Sequence, residues 1–137
     1  MKLLVTGGCG FIGSNFIRHI LKKYPDYEII NLDALTYSGN LENQRDIKKD
    51  KRYRFAHGRI DDVDLVMDVL GRVDYVVNFA AETHVDRSIH DAQPFIITNI
   101  LGTHILLEGA RTSSIKKFIH ISTDEVYGTL EEKGKFT

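Results

Sequence analysis

Lys2-Leu3-Leu4-Val5-Thr6-Gly7-Gly8-Cys9-Gly10-Phe11-Ile12-Gly13 decides the reading of the whole chain. Lys2 to Thr6 is a short, largely apolar run of the kind that forms a strand buried on both faces. Glycines then break it, and Phe11, Ile12, Phe16, Ile17, Ile20 and Leu21 recur at the spacing of one helical face, predicting a helix to Lys23. Gly7, Gly10 and Gly13 fit Gly-x-x-Gly-x-x-Gly, and read from Gly8 the frame is Gly-x-Gly-x-x-Gly. A side chain at the first of these positions would block the sharp exit from the strand. One at the middle position would hold a pyrophosphate away from the backbone, and one at the last would push the helix off the sheet. The bare N–H groups opening the helix, with its dipole, would then face the anion. Glycines also mark ordinary turns, so the loop alone supports a plain turn equally well.

What surrounds the loop separates these readings. Glu28 to Leu32 reads as a second strand, and Asp33 closes it 20 positions beyond Gly13. A carboxylate there can accept hydrogen bonds from an adenosine ribose and would repel a 2′-phosphate, which favours NAD over NADP. A helix or turn cap is the structural alternative for Asp33. No Gly-Lys-Ser/Thr sequence supports a P-loop. Further along, Thr36 to Lys51 is polar with a short helix near Leu41 to Ile47, and Arg52 to His57 is a third strand. Asp61-Asp62 caps a helix running through Val63, Val66, Met67, Val69 and Leu70. Asp74 to Phe79 is a fourth strand, Pro94 opens a long helix to about Arg111, and Lys117 to Ser122 is a fifth strand. Strands alternating with helices predict an α/β fold, a doubly wound parallel sheet of Rossmann type with helices on both faces. Such a sheet continues after its fifth strand, whereas this chain turns polar. Residues 1–137 are therefore expected to be one N-terminal NAD-binding domain truncated after that strand.

Composition narrows the partners. Apolar residues make up 42% and charged residues 27% of the 137 residues, the balance of an ordinary globular protein rather than a disordered one. With 18 basic against 19 acidic side chains there is no excess to neutralise phosphates along a nucleic acid, so no nucleic-acid partner is expected. The lone cysteine, Cys9, cannot form an internal disulfide. The apolar run at the N-terminus is too short for a signal peptide, and no stretch approaches the roughly 18 apolar residues of a membrane span. A cytoplasmic protein without membrane contact is the expectation. Six histidines lack metal-ligand spacing, so no metal is expected. Of these, His84 stands nearest the expected site, in a structural role. Cys9, inside the glycine loop, reads as packing. Phe95, Ile96, Ile97, Ile100, Ile105, Leu106 and Leu107 are too broad a set for a one-sided helix; part of that face meets a second subunit or packs in the core.

The fifth strand ends in Ser122-Thr123-Asp124-Glu125-Val126-Tyr127-Gly128. Ligands of open α/β sheets sit outside the carboxyl ends of the strands. A hydroxyl and two adjacent carboxylates there suggest chemistry, although a surface turn would hold them too. Adjacent carboxylates titrate apart when one is desolvated and the other hydrogen-bonded, supplying a proton donor and an acceptor to one substrate. The residues permit this division without assigning it.

Taken with Thr6 to Asn15, Asp33 to Leu41, Ala80-Ala81-Glu82-Thr83-His84-Val85-Asp86-Arg87-Ser88-Ile89, Thr98-Asn99 and Gly102-Thr103, that segment resembles the extended short-chain dehydrogenase/reductases. Within them the chain is similar, over nearly its whole length, to the dTDP-glucose 4,6-dehydratases. The Asp-Glu pair is the specific part, since related epimerases usually have uncharged residues there. The resemblance implies that NAD takes hydride from carbon 4 of dTDP-glucose and returns it to carbon 6. Around Gly7, Gly10 and Gly13, the backbones of Phe11 and Ile12 would meet the pyrophosphate. Asp33, Ala34, Leu35 and Thr36 would surround the ribose, and Ile60 would lie against adenine. Phe79, Ala80, Ala81, Glu82 and Thr83 would line the inner side, with Thr98 as a further contact. Thr83 and Thr123 would reach the sugar, Thr123 at its 4-oxygen. Asp124 would protonate the departing 6-hydroxyl, and Glu125 would remove the proton at carbon 5. A homodimer is implied for the full-length enzyme.

Two departures stand out. Arg59 replaces the family's usual Asp before Ile60, and can stack on the base. The family's Tyr-x-x-x-Lys pair is absent, since none of the six tyrosines has Lys four residues later. Tyr127 reads as a packing residue, and the substrate-binding C-terminal region is missing. Other readings stay open: a UDP- or CDP-sugar dehydratase, a nucleotide-sugar epimerase, or a non-catalytic dinucleotide-binding module.

Overall fold

The computed structural model describes residues 1–128 and 134–135, and of Glu125 the backbone alone. Five strands, β1 (Lys2–Thr6), β2 (Glu28–Asp33), β3 (Tyr53–His57), β4 (Tyr75–Asn78) and β5 (Lys117–His120), form a wholly parallel sheet in the order β3-β2-β1-β4-β5. Alternate residues of β1 face opposite layers. Leu3 and Val5 pack with Ile17, Ile20 and Leu21 of α1 (Phe11–Lys23). Leu4 packs with Leu32, Val76, Val66 and Leu70 of α2 (Val63–Leu70) and Leu106 of α5 (Thr103–Thr112). Because both faces are covered, β1 is apolar without polar alternation. The doubly wound fold is the expected one.

The helix ends follow local chemistry. The Asp62 carboxylate accepts from the Leu65 N–H at 3.1 Å and starts α2. Lys22 and Lys23 stand in the last turn of α1, where a cation opposes the helix dipole. Tyr24, extended ahead of Pro25, closes that helix.

Two elements depart from expectation. A short helix, α3 (Val85–His90), follows β4. It buries no residue, so it has no apolar periodicity by which to be found. The long helix expected from Pro94 runs continuously from Gln93 to Thr112, but its middle is π-helical: α4 (Gln93–Phe95) passes through a π-helical stretch (Ile96–Gly102) into α5. That wider stretch rephases the apolar residues. It leaves Ile96, Ile100, Leu101 and Leu107 exposed while Leu106 reaches the core, which explains why the set is too broad for one helical face. The short helix of the polar stretch is a 3₁₀ turn, Leu41–Gln44.

The sheet order reverses at β1: β2 and β3 lie to one side of it, β4 and β5 to the other. The loops leaving β1 and β4 diverge there, and open a crevice over the carboxyl ends.

Candidate dinucleotide and nucleotide-sugar site

A cavity of about 790 Å³ occupies that crevice, with the glycine loop as part of its wall. Gly7 sits at φ +67°, and a Cβ there would come within 2.8 Å of the Ala80 nitrogen on the neighbouring strand's exit. Gly13 lets α1 approach the loop so closely that a Cβ would stand 2.8 Å from Gly8 Cα. Gly10 caps α1 without a side-chain hydrogen bond, and no acidic residue occupies the first turn. The opening N–H groups and positive helix end therefore face the cavity uncompensated by protein carboxylates of that turn. Gly7, Gly10, Phe11, Ile12 and Gly13 all line it, with Phe11 82% and Ile12 63% exposed. These are the features a pyrophosphate requires, so the cradle fits a dinucleotide.

Asp33 is buried at the end of β2 and lines the cavity. One carboxylate oxygen accepts the Cys9 N–H at 2.7 Å and the other the Leu35 N–H at 2.8 Å. The turn-capping role left open by the sequence is thus occupied, and the cavity-facing role with it. A carboxylate oxygen can accept more than one hydrogen bond, so capacity for a ribose diol remains. Ala34 and Thr36 line the cavity, but Leu35 does not. Leu35 takes the left-handed conformation (φ 52°) that turns its N–H back to Asp33.

The polar segment after β2 also braces the glycine loop, a role that residue patterns did not reveal. The Asn40 N–H and the Asn43 side-chain amide both donate to the Cys9 carbonyl, at 3.1 and 2.8 Å. Gln44 donates to the Gly8 carbonyl, and Arg18 of α1 pairs with Asp46 at 2.8 Å. Cys9 itself is fully buried and does not line the cavity. Burial first, then the Asp33 charge, pushes its thiol up to about 11, against a weaker opposing hydrogen bond from Asn31. Since the thiolate is the nucleophile, Cys9 in the folded protein is expected to resist iodoacetamide at pH 8 and to label fully on denaturation. Mass spectrometry showing rapid native labelling would contradict the packing role.

On the adenine side, Arg59 and Ile60 both line the cavity. The Arg59 guanidinium is held by Asp61 at 2.8 Å and reaches Thr98 Oγ1 at 3.5 Å. Ile60 is buried in the core as well, and Gly102 provides the room beside it. Phe79, Ala80, Ala81, Glu82, Thr83 and Thr98 line the wall leaving β4. Asn99 clamps that wall: its carbonyl accepts the Glu82 N–H and its amide donates to the Glu82 carbonyl, both at 2.8 Å. Beneath it the Thr6 hydroxyl donates to Asn78 Oδ1, which also accepts the Ala80 N–H at 3.2 Å. With its carbonyl so occupied, the Asn78 amide faces His120 Nδ1 at 3.1 Å.

At the far end Ser122, Thr123 and Val126 line the cavity. Thr123 Oγ1 lies 3.3 Å from Asp124 Oδ1. Asp124 is not among the lining residues, and the Glu125 side chain lies outside the described residues. One expectation needs correction. His120, not His84, is the histidine lining the cavity. It sits beside Asn78 in the parallel register, a pairing that only the sheet order reveals. Tyr127 is 63% exposed. Among the described residues no group of three or more His, Cys, Asp or Glu could hold a metal, and no helix is long and apolar enough to cross a membrane.

The family model described as GDP-mannose 4,6 dehydratase matches residues 4–137. The low-salt glycan biosynthesis protein Agl12 of Haloferax volcanii is 50% identical over all of this chain and 44% of its own length. The dTDP-glucose 4,6-dehydratase of Streptomyces niveus is 51% identical over 96% of this chain and 40% of its own. DesIV, a dTDP-glucose 4,6-dehydratase from Streptomyces venezuelae solved with NAD bound, superposes with a TM-score of 0.92 at 49% identity, covering 98% of this chain and 43% of that one. The chain thus spans about two fifths of the length of the curated relatives it matches.

Proposed function

This chain belongs to the GDP-mannose 4,6 dehydratase family, and from that premise we propose that the full-length protein converts dTDP-glucose to its 4-keto-6-deoxy product with NAD. One observation carries the reading: a buried carboxylate, Asp33, and an unobstructed glycine cradle line one cavity whose other end holds Thr123. The likeness to dTDP-glucose 4,6-dehydratases supports the substrate class. When bound, NAD would supply a hydride acceptor that is restored within each turnover.

Each residue then has a task. Gly7, Gly10 and Gly13 admit the pyrophosphate to the N–H groups of Phe11 and Ile12. Asp33 accepts the ribose hydroxyls, with Ala34 and Thr36 beside them and the Leu35 N–H holding the carboxylate from behind. Arg59 and Ile60 hold the base, Arg59 by stacking. Phe79 to Thr83 and Thr98 flank the inner half. Thr83 and Thr123 orient the sugar, Asp124 delivers a proton to the 6-hydroxyl, and Glu125 takes the proton from carbon 5. The Tyr-x-x-x-Lys pair and the sugar-nucleotide subsite would be supplied by chain beyond residue 137. A cytoplasmic homodimer, paired through the exposed Ile96, Ile100 and Leu107, completes the reading.

Removing the Asp33 carboxylate tests it. Asp33→Ala in the full-length protein is expected to weaken NAD binding by about tenfold or more, since hydrogen bonds to a charged group contribute about 1.5–3 kcal/mol. Calorimetry showing unchanged affinity would remove the ribose assignment. Residues 1–137 alone are expected to form no 4-keto sugar, and measurable product in an absorbance assay would refute that.

A further inference from the structure

The loops that leave β2 and β4 are joined by side chains that do not themselves line the cavity. The guanidinium of Arg87, on α3, lies 4.0 Å from the centre of the Tyr37 ring. The His84 ring meets the same ring edge-on, at 6.2 Å and 74°. Tyr37 follows Thr36 and precedes Ser38, both cavity residues, and Arg87 lies between the cavity residues Val85 and Ser88. None of Tyr37, His84 and Arg87 is among the lining residues.

The sheet order gives this contact its meaning. β2 and β4 flank β1 on opposite sides, so a bridge from the exit of β2 to the exit of β4 must cross the end of β1, where the glycine loop begins. The two lips of the crevice meet there through exposed side chains. Tyr37 is 44% exposed, and α3 buries no residue, so little else anchors that helix. A guanidinium over an aromatic face is attractive, yet weak enough at an exposed site to open and close.

We propose that Tyr37 and Arg87, with His84 against the ring's edge, form a clasp over the dinucleotide groove. It retains the cofactor between turnovers and opens to release it. The inference rests on the dinucleotide reading above. It makes Tyr37 and Arg87 retention residues that act on the cofactor's escape, with no part in the chemical step.

The test follows NAD dissociation by stopped-flow fluorescence from the full-length protein. Tyr37→Leu and Arg87→Met are each expected to speed release about two- to fivefold, the size of an exposed cation–π contact. The double variant should release no faster than either single one, and Tyr37→Phe should keep the slow rate because its ring face remains. The kcat of all four should stay near the parent value when NAD is saturating. Release rates equal to the parent's, or single effects that simply multiply in the double variant, overturn the clasp while NAD binding itself stands. A full-length protein that binds no NAD overturns the functional reading, and the clasp with it.

Discussion

Gly13→Val in the full-length protein is expected to lower NAD affinity by about a hundredfold or more. The atoms that a Cβ at Gly13 would meet are the Gly7 carbonyl and the Gly8 backbone, 2.8 Å away at Cα. Backbone cannot rotate aside as a long side chain does, so either α1 or the loop must move. Either movement withdraws the opening N–H groups of α1 from the pyrophosphate. Two hydrogen bonds to a charged oxygen, at about 1.5–3 kcal/mol each, cover the expected loss. The natural comparison is Gly71→Ala, where an added Cβ meets only Asp68 and Met67 carbonyls at an ordinary 3.6 Å. Calorimetry should find that variant binding like the parent, with circular dichroism showing both folded. Near-parental affinity in a folded Gly13→Val protein would mean that the glycine loop is only a turn.

The glycine loop was readable because strand, loop and helix each leave a local mark, and the three marks agree. The same holds for Asp33: its spacing from Gly13 places it, and β2 carries it into the crevice wall. Features that arise from the meeting of distant segments left no such mark. The clamp of Asn99 on Glu82 joins residues of two elements through a side-chain amide and backbone groups. Nothing about Asn99 in isolation predicts it. His120 reaches the cavity because β5 pairs with β4, which sets it beside Asn78, while His84, next to the lining residue Thr83, stays off the wall. The π-helical stretch was visible only as a misfit, an apolar face too wide for its helix. Gln44 and Asn43, in a segment that reads as plain polar loop, hold the glycine loop's carbonyls. Periodicity finds buried apolar faces, whereas these polar residues act by hydrogen bonding, Gln44 while itself buried.

The largest kinetic effect is expected from Glu125→Gln in the full-length enzyme. Glutamine keeps the size of the side chain and one carbonyl oxygen, but it cannot take up a proton at neutral pH. A positioned general base contributes about 10²–10⁴ to the rate, so kcat should fall by that factor. Glu125 has no part in the proposed cofactor cradle, and NAD affinity should stay within about twofold of the parent. The step that fails can be located by isotope. In the proposed reaction, proton removal from carbon 5 follows oxidation at carbon 4, which would acidify the neighbouring C–H bond. Incubation in deuterium oxide should therefore leave carbon 5 unlabelled in the Glu125 variant. In Asp124→Asn, turnover should fall by a similar factor while exchange at carbon 5 persists, because that variant lacks the proton for the departing 6-hydroxyl and not the base. Thr123 lines the cavity, and its hydroxyl donates to the Asp124 carboxylate at 3.3 Å, which sets that carboxylate beside the residue proposed to hold the sugar. Exchange undiminished in Glu125→Gln, or lost equally in both variants, would break the division of labour between the two carboxylates.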